Sequence, residues 1–243
     1  MKLSLITTSF LAFALNSSVT QAQMMGLDFY NITNKASVDI ASQLGAQVRD
    51  TAQAQTDFSG YADEDNYLAD MAGNEVLFTF TNTSLIASTI SEIYFDDGTI
   101  FDQTHILNNL GGFTKYTDGG NNGVNPGNLP SGNNVTPIFE ATADFGADTT
   151  GKKNNGVNAS NDIVGIIIQL QSGVGFTELQ YALADGTLRL GLHVSSIGTK
   201  GDSDAFVSNP LALTAPASPV PLPAAAWLFG PALLVAVRKR RKA

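Results

Sequence analysis

The side chains in this sequence that suggest chemistry are carboxylates and two histidines, because cysteine is absent. Without thiols there is no disulfide framework, thiolate metal site or cysteine nucleophile. The acids gather at Asp63-Glu64-Asp65 and at Asp96-Asp97, with Glu92 a few residues before the second pair. Two carboxyls flanking a bond are the machinery of glycoside hydrolysis, for which Glu92, Asp96 and Asp97 are the candidates. Calcium needs several converging oxygens, and Asp96 and Asp97 with backbone carbonyls are the candidate ligands. Neither Asp63-Glu64-Asp65-Asn66 nor Asp118-Gly119-Gly120-Asn121 has the glycine and terminal glutamate of an EF-hand loop. His105 and His193 are 88 positions apart, which excludes a multi-histidine metal centre. They read as ordinary polar surface, His193 on the wet face of a strand and His105 near a turn. There is no Gly-x-Ser-x-Gly elbow. Gly146-Ala147-Asp148-Thr149-Thr150-Gly151-Lys152-Lys153 nearly spells a phosphate loop. Lys153 stands where Ser or Thr would ligate magnesium, and Asn154-Asn155-Gly156 cannot start the required helix, so a turn is expected. Asn-x-Ser/Thr triplets begin at Asn31, Asn82, Asn134 and Asn158, as chance provides in a chain so rich in these residues.

The elements that must carry these side chains read as short strands between Gly, Asn and Asp clusters. Candidate strands are Glu75–Asn82, 89–95 (ended by Asp96-Asp97-Gly98), 137–145, Ile163–Leu170 and 188–194. Ile166-Ile167-Ile168 implies a strand covered on both faces, whereas Leu188, Leu190, Leu192 and Val194 alternate cleanly and imply one wet face. Residues 38–50 fit both periods, and a strand from Leu44 onward is favoured. Residues 176–183 hold good helix formers, with Thr177 as a cap and Asp185-Gly186 as a stop. The expected fold is all-β: a two-sheet antiparallel sandwich of jelly-roll type with one short helix. The segment 117–135 has five glycines and six asparagines in 19 residues, so it is expected to be a surface loop.

Charge excludes one partner class. Of 13 basic residues, six lie at the extreme ends, leaving 7 against 22 acids in between. Phosphate backbones need clustered Lys and Arg, so nucleic acid is not expected to bind.

The ends carry different information. Residues 1–22 show a basic start, an apolar run and a small-residue zone closing at Thr20 and Ala22, the order of a secretory signal peptide. Residues 23–214 form the body. A Pro-rich stretch, 215–223, precedes an apolar segment, 224–237, and a basic tail, 238–243. At roughly 1.5 Å per residue the apolar segment spans about 21 Å as a helix, against about 30 Å of hydrocarbon. Trp227, Leu228, Phe229, Leu233 and Leu234 are its expected anchor residues. Arg238, Lys239, Arg240, Arg241 and Lys242 would snorkel and stay in the cytoplasm.

Val220-Pro221-Leu222-Pro223, followed by the alanine-rich aromatic segment and the basic cluster, resembles a PEP-CTERM sorting signal, the tag of exosortase substrates. Leu222 replaces the name-giving glutamate between the prolines. The body is similar to bacterial PEP-CTERM proteins of undefined activity. The matching pieces are Val76-Leu77-Phe78-Thr79-Phe80-Thr81-Asn82, Ile93-Tyr94-Phe95-Asp96-Asp97, Asn128-Leu129-Pro130, Gly156-Val157-Asn158, Leu188-Arg189-Leu190-Gly191-Leu192-His193-Val194 and Ser203-Asp204-Ala205-Phe206-Val207.

The resemblance implies export, transient anchoring in the inner membrane, cleavage by an exosortase near the proline motif, and release to the cell surface or matrix. Exopolysaccharide is the expected environment and partner, and biofilm the expected context. No assembled catalytic group stands out, so a non-catalytic binding or structural role without a cofactor is expected. The alternatives are a secreted carboxylate-dependent glycan hydrolase and a calcium-dependent carbohydrate-binding module.

Overall fold

The computed structural model describes residues 22–62, 66–118, 128–142, 146–152 and 155–212. The leader up to residue 21, Asp63-Glu64-Asp65, most of the glycine-rich loop, and the whole of 213–243 lie outside the described residues. Val220, Pro221, Leu222 and Pro223, the anchor residues and the basic cluster are therefore outside them too. The chain divides into compact units Met1–Pro210 and Leu211–Ala243, and every element below belongs to the first.

Among the described residues the protein is mostly β, with two open antiparallel sheets and two short α-helices. The strands are β1 (Met24–Leu27), β2 (Phe29–Asn31), β3 (Leu44–Asp50), β4 (Glu75–Asn82), β5 (Thr89–Asp96), β6 (Phe101–Gly111), β7 (Tyr116–Asp118), β8 (Ala147–Thr149), β9 (Ile163–Leu170), β10 (Arg189–Ile197) and β11 (Asp202–Ser208). Five form a sheet in the order β1-β3-β4-β9-β6 and six form another in the order β2-β11-β10-β5-β8-β7. Alternation sends Val76, Phe78 and Phe80 of β4 to one face, where the rings of Phe78 and Phe80 meet Phe95 of β5 edge-on at 5.5 and 6.2 Å. Phe101 of β6 closes this cluster at 5.6 Å from Phe95. Edge-to-face packing aligns ring edges with ring faces and adds to the gain from burial. This aromatic cluster joins the two sheets.

Each sheet also carries a covered patch on its outer face. On the five-stranded sheet, Leu77, Leu107 and Ile167 pack with Ala54, Leu68 and Met71. That is why all three consecutive isoleucines, Ile166 to Ile168, are buried. Ala54 belongs to α1 (Thr51–Asp57), a helix that pattern reading missed because it buries only one alanine and has no apolar stripe. Its start is secured by Asp50, whose carboxylate accepts from the Gln53 N–H at 2.8 Å. The helix expected over 176–183 is α2 (Phe176–Asp185), buried through Leu179 and Leu183. Its N-cap is Gly175 rather than Thr177, with Glu178 accepting from the Gly175 N–H at 3.0 Å. Gly186, at φ 80°, ends it as expected.

The strand expected over 137–145 is absent from the described part, 137–142. Pro137 has no N–H to give, and the donors that follow go elsewhere: Phe139 N to Gly132 O at 3.1 Å, and Ala141 N to the Asn128 side chain at 3.2 Å. The segment runs over the outer face of the six-stranded sheet, where Phe139 and Leu129 pack on Tyr94, Ala205 and Val207. Its apolar alternation reports one buried side, not a ladder.

Candidate functional site

A groove of about 420 Å³ opens on the outer face of the five-stranded sheet, beside the covered patch. Strand register builds its floor. Glu75 of β4 stands opposite Gln169 of β9, which stands opposite Gln103 of β6. One step along, Leu77, Ile167 and His105 form the next row on the same face. A polar row thus lies directly beside an apolar one. The wall comes from the segment before β4, which supplies Tyr67 and Asp70.

Tyr67 stacks on His105, with ring centroids 3.4 Å apart and planes 22° from parallel. Tyr67 as a whole is 42% exposed and lines the groove. Glu75 is oriented by the turn that precedes its strand, its Oε2 accepting from the Ala72 N–H at 2.6 Å. His105 lies within a strand rather than near a turn, and it contributes to the groove instead of plain surface. The groove therefore offers an aromatic face, two amides with donors and acceptors, and two carboxylates. Among the described residues no Lys or Arg lines it. The basic residue on the same sheet, Arg49, is 6% exposed and held by Asp57 at 2.7 Å and by Thr79 at 2.9 Å.

Glu92, Asp96 and Asp97 lie at the other sheet, and protein donors occupy all three. Asp96 pairs with Arg189, its register partner on β10, whose guanidinium also donates to the carbonyls of Pro137 and Ile138. Asp97, 2% exposed, accepts from the Phe101 N–H at 3.0 Å and from Thr142 Oγ1 at 2.9 Å. A calcium ion at Asp96 would have to displace Arg189. Among the described residues no group of three or more His, Asp or Glu is gathered as a metal would need.

Glu92 accepts from the Tyr94 hydroxyl and meets His193 Nδ1 at 2.8 Å. His193 is thus half-buried and paired on its outer face, not simply wet. Asp148 of β8 stands opposite Glu92 in the ladder. Burial pushes the Asp148 carboxyl up, and the neighbouring Glu92 charge pushes it further. Burial and Glu92 likewise raise the Tyr94 phenol.

No protein family, curated protein or solved structure matches this chain. Its chemistry is therefore argued from its own side chains. Of the polar residues that line the groove, the sequence singles out His105 alone, as ordinary surface. Gln169 was visible as the polar break in an apolar strand and Glu75 as a strand's first residue, but their common row depends on register. Of the four Asn-x-Ser/Thr sites, Asn82 is 1% exposed and its side-chain amide is bonded to Ser88 and Gln43, so in the fold it is closed to glycan attachment. The phosphate-loop look-alike contains strand β8 followed by a turn at Gly151. Among the described residues no helix is long and apolar enough to cross a membrane.

Proposed function

We propose that this protein is an exported, exosortase-sorted surface or matrix protein whose two sheets form a jelly-roll-like sandwich that binds glycan in the outer groove. The observation that carries the binding role is the exposed Tyr67 ring beside the Glu75–Gln169–Gln103 row. A sugar has an apolar C–H face and a rim of hydroxyls, and an aromatic surface flanked by amides and carboxylates complements both. The leader pattern, the Val220-Pro221-Leu222-Pro223 tail and the acidic body support export and sorting. No catalytic step is assigned.

Retention of the full-length chain, purified in mild detergent, on a panel of immobilised polysaccharides tests the binding role. Tyr67→Ala and Gln169→Ala are expected to lose retention while melting at nearly the wild-type temperature. Absence of retention on every polysaccharide, or retention unchanged in both variants, would overturn it. Release of new reducing ends during incubation would replace binding with hydrolysis.

A further inference from the structure

The ligand class follows from charge, on the reading that the groove binds glycan. Asp70 and Glu75 both line it, and among the described residues no Lys or Arg does. The body as a whole carries 22 acids against 7 bases, and Arg49, the base on the same sheet, is committed to Asp57 and Thr79. A uronate-bearing or sulfated polymer would bring anions into a cleft whose described lining holds two carboxylates, no Lys or Arg, and His105 as its basic side chain. An ammonium group would meet the reverse situation, finding two acceptors. The aromatic surface of Tyr67 and the Gln103 and Gln169 amides bind any pyranose, so they supply affinity and the carboxylates supply selection.

From this we infer that the groove selects polysaccharides bearing free amino groups, such as partly de-N-acetylated β-linked glucosamine polymers, over neutral and anionic ones. The protein's acidity then acts as an attractor for a cationic matrix polymer, speeding encounter as well as setting preference.

The test compares three short oligosaccharide probes on the full-length chain in mild detergent: glucosamine, N-acetylglucosamine and galacturonate oligomers of equal length. Titration calorimetry is run in low and high salt. The glucosamine oligomer is expected to bind best and to weaken with salt. Asp70→Asn together with Glu75→Gln should cost it about tenfold, as expected for two partly exposed ion pairs, and should weaken N-acetylglucosamine binding by less. Equal binding of both aminosugar oligomers, or preference for galacturonate, would sink the charge selection and leave the glycan groove standing. If none of the three binds, the inference and the groove reading both fail. The comparison of probes on the wild-type chain stands even if the double variant folds poorly.

Discussion

The ring of Phe139 lies against the backbone of Gly191 in the middle of β10, so closely that a Cβ there would come within 2.8 Å of the ring's far edge. Leu129 crowds the same position at 3.0 Å. Gly191 is present because another piece of chain needs its space, not because of its backbone angles.

Gly191→Ala is therefore expected to destabilise the protein by about 1–3 kcal/mol, the usual cost of overpacking. Phe139→Ala empties the contact from the other side and should cost about 3–5 kcal/mol, as for a fully buried phenylalanine. Urea unfolding measures both. The double variant should lose less than the sum, because the two residues share one contact. Strict additivity would mean that the ring does not rest on the strand.

Arg189 holds the same covering segment electrostatically. Its guanidinium donates to Asp96, Pro137 O and Ile138 O and lies 5.4 Å over the Phe139 ring. Removing it leaves a carboxylate 9% exposed without its counter-charge. Arg189→Met should cost about 3–5 kcal/mol, and Arg189→Met with Asp96→Leu should recover part of that. The same variants should make 128–142 more open to protease.

Two aspartates should give opposite acid responses. Burial raises the Asp204 carboxyl, but bonds from Thr33 Oγ1 at 2.6 Å, Lys35 N at 2.7 Å, Asn31 Nδ2 at 3.0 Å and Ala36 N at 3.1 Å outweigh it, so its value falls below the usual range. Its stabilisation is complete above the unfolded value of about 3.9 and is lost as pH falls through the lower folded value. Asp148 is raised, so its stabilisation is complete below that unfolded value and is lost as pH rises through the folded one. Asp204→Asn should weaken the fold at pH 7 and flatten its acid sensitivity, whereas Asp148→Asn should be neutral or stabilising at pH 7. Unfolding free energies measured from pH 3 to pH 7 decide both.

Sorting predicts a mass. Tagged protein recovered from a host with an exosortase should be lighter than that from a host without one by the segment beyond the proline motif. Changing Pro221 and Pro223 to alanine should abolish the difference. Equal masses in the two hosts would remove the processing step.

Much of the β character was legible, because β4, β5, β9 and β10 each bury at least one face and show it locally, β10 as alternation and β9 as an unbroken apolar run. The 11-residue β6 was not. It is an edge strand, and Asp102, Gln103, Thr104, His105, Asn108 and Asn109 leave it little apolar pattern. Missing β6 meant missing one side of the groove. The 137–142 segment failed in the opposite sense: Phe139 resembles a strand's inward residue, yet it is buried by lying across a sheet it does not join.

Composition and local pattern by themselves determined the acidity, the export and sorting expectations, and the presence of sheets, since each is a property of residues near one another in the chain. Which carboxylates face a groove and which are tied to Arg189 was decided only by tertiary structure. Strand order brings Gln103 beside Gln169, and Asp96 beside Arg189 from 93 positions away. Nothing in a local window records which strand becomes whose neighbour.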